Sequence, residues 1–292
     1  MKKYISFDIG GTKVKHAVIS EKGEIITKNL YNTNYKSMEK FIGSMLKVIH
    51  EYEAEYDVSG IGISLPGFVN PYTGYSEKAG AIEVLHNNNL KKILQKETKL
   101  PIEIDNDANC AALAERYSGN AINCDDYVLV TVGTGIGGAI VVNGKVLYGH
   151  NFRGGEIGFM TIRDDKDGLG TINQNASTRG LIEEYKNYKV LSEDALVIGE
   201  EVFEEAKQDK KLYEIVDNWF DRLACAIFNL TAILNPEKIL IGGGVSSRED
   251  FLSNILKHLK ENKYWEDLKV EISICKHRND AGIIGAVYKF IE

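Results

Sequence analysis

The chain contains two short glycine-rich turns, and each follows an apolar stretch with the composition of a β-strand. The first turn, Asp8–Lys13, follows Tyr4–Phe7, and the second, Gly133–Gly138, follows Val130–Val132. Glycine lets a turn adopt positive φ and lets an anion approach the backbone N–H groups. Each turn also carries a threonine hydroxyl. Two such turns could hold one polyphosphate from two sides, so the pair predicts a phosphoryl-transfer enzyme with two lobes.

Neither turn fits a single familiar nucleotide motif. A Walker loop needs Gly-x-x-x-x-Gly-Lys-Ser/Thr before a helix, and the sequence has no such run. The spacing of Gly133, Gly135 and Gly138 matches the dinucleotide pattern, but a strand over 139–142 and the hairpin signal Asn143-Gly144 follow it, not a helix. A plain hairpin remains the alternative for each turn alone. The pair of turns behind similar strands favours phosphate binding.

Size and charge limit the classes of function. The 292 residues fit one large domain or two of ordinary size. A net charge of −7 argues against general nucleic-acid binding. No charged-then-apolar leader precedes the first strand, and no apolar stretch approaches the length that spans a bilayer. We therefore expect a cytoplasmic protein whose partners include neither nucleic acid nor membrane.

Strands and helices alternate along the chain, and the second half repeats the scheme of the first. Each half opens with three predicted strands, between residues 4 and 30 and between residues 127 and 148. This pattern predicts an α/β fold of two similar lobes around a cleft. We expect a small N-terminal lobe, 1–107, joined by a C-terminal helix, 280–292, and a large lobe, 108–279.

Asp107 is the best candidate for a catalytic base. It follows the short predicted strand Ile102–Ile104 and begins a helix, at a position where ligand crevices form in α/β folds. Removing a proton from a hydroxyl that attacks phosphorus requires one positioned carboxylate. Asp105 is the rival carboxylate. Asp107 could instead only cap the helix, and Asn106 could also be that cap.

Four other positions are candidates for ligand contacts. Asp8 could orient Mg²⁺, directly or through water, or it could stabilise the turn. Lys13 could contact phosphate or face solvent. Gly242–Gly244 follow a strand and could let an adenine or ribose lie on the backbone. Glu156, in the glycine-rich loop Gly154–Gly158, could accept hydrogen bonds from neighbouring sugar hydroxyls or simply face solvent.

Taken in order, the motifs resemble those of the ROK family (repressors, open reading frames and kinases) nearly from end to end. The motifs that carry this resemblance are Asp8–Lys13, Gly62–Gly67, Asn106–Asn109, Gly133–Gly138, Gly154–Gly158 and Ile241–Val245. The resemblance implies an actin-like, ribonuclease-H-like fold of two lobes with a central cleft. It also implies ATP with Mg²⁺, phosphorylation of a sugar hydroxyl, usually on carbon six, and in many members a homodimer.

The matching motifs assign roles to individual residues. Asp107 corresponds to the catalytic base, and Asp8 is the candidate magnesium contact through water. The residues implied at the nucleotide are Asp8, Gly10, Gly11, Thr12, Lys13, Gly133, Thr134, Gly135, Gly137, Gly243 and Gly244. The residues implied at the sugar are Gly67, Asn106, Asp107 and Glu156.

The chain departs from most of the family at the zinc site. Most members have a His three residues after the glutamate, followed by a cysteine-rich loop that ends in Cys-Leu-Glu. Here Phe159 occupies the His position, the segment 167–173 has no cysteine, and Asn173 falls about where the last glutamate would be. The sequence therefore predicts no zinc. It leaves open how the anomeric end of the sugar is held.

The bacterial β-glucoside kinases form a subgroup that also lacks the zinc cysteines, and several stretches look like theirs. These stretches are Gly80–Ile82, Leu113–Arg116, Phe152–Glu156, Ile241–Val245 and Asn279–Tyr288. The resemblance implies phosphorylation of carbon six of the non-reducing glucose in cellobiose or gentiobiose. Phe159 could stack on the second sugar ring or merely fill space. The alternatives are a zinc-free glucokinase, a kinase of another hexose or N-acetylhexosamine, and a non-catalytic sugar-responsive regulator.

Overall fold

The structure is a computed structural model that describes residues 1–34, 36–164 and 168–291. The chain forms two compact units. The first comprises Met1–Asn123, Val146–Gly154 and the segment from Lys276 to the C-terminus. The second comprises Cys124–Lys145 and Gly155–Cys275.

The first unit contains three antiparallel strands, a long helix, and two strands that add to the sheet in parallel. Its elements from the N-terminus to residue 118 are β1 (Lys3–Ile9), β2 (Lys13–Ser20), β3 (Ile25–Asn32), α1 (Met38–Glu55), β4 (Ile61–Leu65), β5 (Phe68–Val69), β6 (Tyr75–Lys78), β7 (Asn88–Asn89), α2 (Leu90–Leu94), β8 (Ile102–Asn106) and α3 (Asp107–Ser118). A 3₁₀ turn, Glu83–Leu85, lies between β6 and β7.

The second unit follows the same plan with more helix. Its elements are β9 (Tyr127–Val132), β10 (Ile136–Val142), β11 (Lys145–Val146), β12 (Thr161–Asp164), β13 (Gly168–Thr171), α4 (Ile172–Asn175), α5 (Thr178–Lys189), α6 (Gly199–Ala206), α7 (Lys210–Leu234), β14 (Lys238–Gly242), α8 (Phe251–Glu261), α9 (Trp265–Leu268) and β15 (Glu271–Ile274). The 3₁₀ turns Ile157–Phe159 and Gly244–Ser247 precede β12 and follow β14.

Each unit is built on a five-stranded sheet of the same order. The strand order is β3-β2-β1-β4-β8 in the first unit and β11-β10-β9-β14-β15 in the second. In both sheets the first strand pairs antiparallel with the next strand and parallel with a later one. The parallel strands are nearly continuous apolar runs, because both faces of such a sheet are covered. The repeated topology agrees with the doubled α/β pattern that the sequence predicts.

Helix α1 illustrates how the sequence produces the packing. Ser37 caps the helix, since its side chain accepts a hydrogen bond from the backbone N–H of Lys40. The apolar side chains recur at helical spacing and are buried against the sheet of the first unit. They include Phe41, Met45 and Ile49. In the described part of the chain, no helix combines the length and the apolar character needed to cross a bilayer.

The compact units have bounds that differ from those of the predicted lobes. Helix α3 belongs to the first unit, beyond the expected boundary at residue 107, because it packs directly on the C-terminal segment. The single helix predicted over 280–292 is wrong for the described residues, which end at residue 291. The chain instead forms α10 (Ala281–Gly285), between the 3₁₀ turns Arg278–Asp280 and Tyr288–Phe290.

The contact between α3 and α10 depends on the absence of a side chain at Gly285. A β-carbon there would overlap the backbone carbonyl of Cys110. We expect Gly285→Ala to lower the free energy of unfolding by about 2 kcal/mol or more, as overpacking a close contact does. Urea unfolding checks this. Gly43→Ala is the control: a β-carbon in that part of α1 meets no described atom within 4 Å, and alanine should stabilise the helix by about 0.5–1 kcal/mol. Equal stability of both variants would contradict the packing account.

Candidate active site

The glycine turn between β1 and β2 is fixed by a backbone hydrogen bond across the turn and by two hydrogen bonds from one threonine. The N–H of Gly10 donates to the carbonyl of Lys13 at 3.0 Å, which closes the turn. Thr33, just after β3, donates from its hydroxyl to the Gly10 carbonyl at 2.6 Å and from its N–H to the Thr12 carbonyl at 2.9 Å. The side chains of Thr12 and Lys13 are exposed. The turn is thus fixed, with its two longest side chains in solvent.

Asp8 is engaged by residues of its own unit. Its Oδ1 accepts a hydrogen bond from the Ser64 hydroxyl at 2.8 Å, and its Oδ2 forms an ion pair with Lys15 Nζ at 3.1 Å. Lys15 also donates to the carbonyl of Asn279 at 2.6 Å. Direct ligation of Mg²⁺ by Oδ2 would bring two cations together, whereas contact through water leaves the ion pair intact. The donor set fits the water-mediated contact that the sequence predicts.

Three polar side chains lie in one row across the ends of neighbouring parallel strands. Asp8 of β1 is opposite Ser64 of β4, and Ser64 is opposite Asp105 of β8. Carboxyl ends of parallel strands are where ligands bind in open α/β sheets. This edge of the sheet therefore leads directly to Asn106 and Asp107.

Asp105 is a buried structural carboxylate. Its side chain is 3% exposed, so the charge needs partners to offset desolvation. Its Oδ2 accepts from the Tyr148 hydroxyl at 2.6 Å and pairs with Lys289 Nζ at 2.9 Å. Its Oδ1 accepts from Asn109 Nδ2 at 3.0 Å and from the N–H of Asn106 at 2.8 Å. These four donors leave Asp105 poorly placed to accept a substrate proton.

Burial, followed by the neighbouring Asp105 carboxylate, raises the pKa of the Tyr148 hydroxyl well above its usual value. Tyr148 therefore stays protonated at neutral pH and serves as a donor to Asp105. This contact ties the segment Val146–Gly154 to the end of β8.

Asn106, and not Asp107, caps helix α3. The side-chain oxygen of Asn106 accepts from the N–H groups of Ala108 at 2.8 Å and Asn109 at 3.2 Å, while its Nδ2 donates to the Gly67 carbonyl at 3.0 Å. Asp107 occupies the first position of the helix, where its carboxylate is exposed and its Oδ1 lies 2.8 Å from the N–H of Ala108. A negative charge in the first turn of a helix also interacts favourably with the helix dipole.

In the second unit, the turn between β9 and β10 is held by a side chain from α4. The N–H of Gly133 donates to the Gly135 carbonyl at 2.9 Å. Asn173 Oδ1 accepts from the N–H of Ile136 at 2.8 Å. Asn173 therefore supports the predicted phosphate turn. Thr134 is exposed at the tip of that turn, and Gly137 follows in β10.

Gly243 and Gly244 lie beside the same turn. Gly242 of β14 pairs with Thr131 of β9, so the two strands end together. Gly243 has φ of +91°, and a β-carbon there would overlap the carbonyl of Val132. The predicted nucleoside and phosphate positions of this unit are thus neighbours.

Glu156 precedes the 3₁₀ turn Ile157–Phe159 and is half-buried. The flanking Gly155 and Gly158 pack against the backbone of β10, which fixes this loop on the strand that follows the phosphate turn. Phe159 is 65% exposed. Glu156 therefore belongs with the residues of the second unit, whereas Gly67, Asn106 and Asp107 belong with those of the first.

No group of three or more His, Cys, Asp or Glu side chains suited to a metal occurs within residues 1–34, 36–164 and 168–291. Residue 167, which begins the cysteine-free segment 167–173, lies outside the described residues. The absence of zinc stays a prediction. Mg²⁺ in a phosphoryl-transfer site is held largely by phosphates and water, so it does not need such a cluster.

The family profile of the ROK family matches residues 4–292. The chain belongs to the ROK family. A β-glucoside kinase of Listeria monocytogenes is 36% identical over 99% of this chain and 98% of that protein. The solved structure of the Lmo2764 protein of Listeria monocytogenes, described as a proposed N-acetylmannosamine kinase, has a TM-score of 0.89 and 34% identity over 99% of this chain and 98% of that one.

A ROK family glucokinase from Streptomyces griseus, solved with glucose and AMPPNP, has a TM-score of 0.78 and 26% identity, and the match covers 97% of both chains. These similarities confirm the family and the actin-like α/β fold that the motifs predict.

Sequence reasoning missed several contacts that position the predicted residues. The pair Asp8–Lys15 could have been found, because the two residues face each other across the β1–β2 hairpin. The partners of Asp105, Tyr148 and Lys289, are distant in sequence and carry no local signal. The role of Asn173 was also missed, since it depends on where α4 packs.

The contrast between the two carboxylates gives a stability prediction. Asp105→Asn should lower the free energy of unfolding by about 3 kcal/mol, because it leaves the largely buried ammonium of Lys289 without its counter-charge. Asp107→Asn is the matched control and should lower stability by no more than about 1 kcal/mol, the scale of an exposed charge in the first turn of a helix. Urea unfolding of both variants is the measurement. An Asp105→Asn protein as stable as the wild type would contradict the structural role of Asp105.

Proposed function

We propose that the protein is an ATP-dependent sugar kinase that phosphorylates the 6-hydroxyl of the non-reducing glucose of β-glucosides such as cellobiose and gentiobiose. Membership of the ROK family and the 36% identity to a β-glucoside kinase support this proposal. The main structural support is the difference in environment between Asp105 and Asp107. The Asp105 carboxylate accepts from four donors, whereas the Asp107 carboxylate is exposed just after a parallel strand.

In the proposed mechanism, Asp107 accepts the proton of the acceptor hydroxyl as that oxygen attacks the γ-phosphorus of ATP. The proton moves to the carboxylate and the bond between the γ-phosphorus and the bridging oxygen breaks, leaving ADP. Asn106 and Gly67 hold the sugar beside Asp107, and their mutual hydrogen bond keeps them in fixed relation. Glu156 contributes hydrogen bonds to further sugar hydroxyls.

The two glycine turns supply the proposed nucleotide contacts. Gly10–Lys13 and Gly133–Gly137 would present backbone N–H groups and threonine hydroxyls to phosphates, and Gly243 and Gly244 would adjoin the nucleoside. Asp8 would hold a water of Mg²⁺. When bound with ATP, Mg²⁺ neutralises part of the phosphate charge. Because the reaction consumes ATP, the proposed location is the cytoplasm. A homodimer stays a prediction from the family resemblance.

Two other acceptors remain candidates. The similarity to the glucokinase solved with glucose favours free glucose, and the similarity to the proposed N-acetylmannosamine kinase favours an N-acetylhexosamine. A non-catalytic sugar-responsive regulator is the alternative outside the enzymes. It gives no reason for an exposed carboxylate at residue 107, or for two glycine turns that are each fixed by hydrogen bonds.

Replacing the proposed base should greatly reduce turnover but should leave the binding of ATP and sugar largely intact. We expect Asp107→Asn to lower kcat by about a hundredfold or more, the usual scale for loss of a general base. Steady-state kinetics with ATP, Mg²⁺ and cellobiose give kcat, and calorimetry shows whether sugar binding persists. The control is Asp125→Asn, which makes the same change at an exposed aspartate of the second unit and should leave kcat unchanged. Near wild-type turnover by Asp107→Asn would refute the assignment.

The acceptor is tested by comparing kcat/KM for cellobiose, gentiobiose, methyl β-glucoside, glucose, N-acetylglucosamine and N-acetylmannosamine under matched ATP and Mg²⁺. We expect at least one β-linked disaccharide to exceed glucose by about tenfold, because a second ring can bury apolar area that glucose lacks. A clear preference for glucose or an N-acetylhexosamine would replace the proposed acceptor but keep the kinase. The absence of phosphorylation of any sugar would favour the regulator.

A further inference from the structure

The first unit contains a pocket of about 310 Å³ that begins one residue after Gly67, the proposed sugar contact. We call it the aromatic pocket. The lining residues used in the argument are Phe68, Asn70, Tyr75, Glu77, Phe152 and Arg153. All six belong to the first unit.

Two short backbone segments form its walls, and both are fixed by hydrogen bonds. In the turn between β5 and β6, Asn70 Oδ1 accepts from the N–H groups of Tyr72 at 3.0 Å and Thr73 at 3.1 Å. In the opposite segment, the N–H of Gly154 donates to the carbonyl of Tyr148 at 2.8 Å. The backbone on both sides of the pocket is therefore fixed by hydrogen bonds within the first unit.

The walls present aromatic rings to solvent. The ring of Phe152 packs edge-on against Tyr72 and Tyr148, with centroid distances of 5.9 and 6.5 Å. Tyr72 is 70% exposed and Tyr75 is 40% exposed. Half-exposed aromatic rings offer a large apolar surface at little cost in side-chain entropy, and the C–H face of a pyranose can cover such a surface.

The charges in the pocket are paired with each other. Arg153 Nη2 lies 2.6 and 2.7 Å from the two carboxylate oxygens of Glu77, and its guanidinium lies over the Phe68 ring at 4.7 Å. An anion would meet Glu77 as well as Arg153, so the pair favours a neutral ligand. Planar groups with several donors and acceptors suit a ligand rich in hydroxyls.

Both walls are connected to the residues around the proposed base. Gly67, which precedes Phe68, accepts a hydrogen bond from Asn106, and the hydroxyl of Tyr148 donates to Asp105. We propose that the aromatic pocket binds the second sugar ring of a β-glucoside, the ring that is not phosphorylated. This inference rests on the proposed function and names the residues that would select a disaccharide over a monosaccharide. It differs from the stacking role considered for Phe159, which belongs to the second unit.

The experiment compares cellobiose with methyl β-glucoside, which has the same linkage atom but no second ring. For Phe152→Ala and Tyr75→Ala we expect kcat/KM for cellobiose to fall about tenfold, the effect of losing one aromatic contact, and that for methyl β-glucoside to stay within about twofold. Phe152→Tyr keeps the ring and should retain the disaccharide preference. For the two alanine variants, the affinity for cellobiose without ATP, measured by calorimetry, should fall by a similar factor. Tyr264→Ala, which truncates a 54% exposed tyrosine of the second unit, is the matched control.

The outcomes separate the two proposals. If the wild type phosphorylates cellobiose and both alanine variants keep its preference, the pocket proposal is overturned and the proposed function stands. An equal loss with both sugars also overturns it, because that result marks the residues as supports of the fold. If Phe159→Ala alone removes the preference, the second ring lies on Phe159. If the wild type phosphorylates no sugar, the proposed function fails, and the pocket proposal fails with it.

Discussion

The buried carboxylate of Asp105 is the interaction on which the arrangement of the first unit depends. A charge that is 3% exposed is tolerated only with strong partners. Those partners come from separate parts of the chain: Lys289 near the C-terminus, Tyr148 in the segment that returns to this unit, and Asn109 in α3. One carboxylate therefore gathers a strand end, a helix and two distant segments at a single point.

Asp107, two residues after Asp105, is exposed to solvent and not buried. This difference explains how two nearby carboxylates can have separate roles. Asp105 is buried and accepts from four donors, whereas Asp107 is exposed at the first turn of a helix that Asn106 already caps. Because Asn106 already accepts the capping hydrogen bonds, the cap of α3 does not require a carboxylate at residue 107. Position in the strand-to-helix connection, more than residue type, makes one aspartate structural and the other a candidate base.

Sugar selectivity is proposed to follow from the same scaffold. The sequence predicts that this chain lacks the zinc ligands that the family resemblance implies near the anomeric end of the sugar. Asn173, at about the position of one lost ligand, supports the phosphate turn through Ile136. The aromatic pocket is tied to Asp105 through Tyr148 and to Asn106 through Gly67. A preference for a second ring would then come from the unit that also holds the proposed base.

The sequence by itself determined the α/β class, the doubled strand pattern, the family and the positions of both glycine turns, because these depend on local periodicity, turn chemistry and ordered motifs. The sequence also identified Asn106 as one of two candidates for the cap of α3, the other being Asp107. Only the tertiary structure decided that Asp105 is structural, because Tyr148 and Lys289 reach it through long-range packing. It also decided that α3 belongs to the first unit and that the C-terminal helix ends at Gly285, since a close backbone contact leaves no periodic signal.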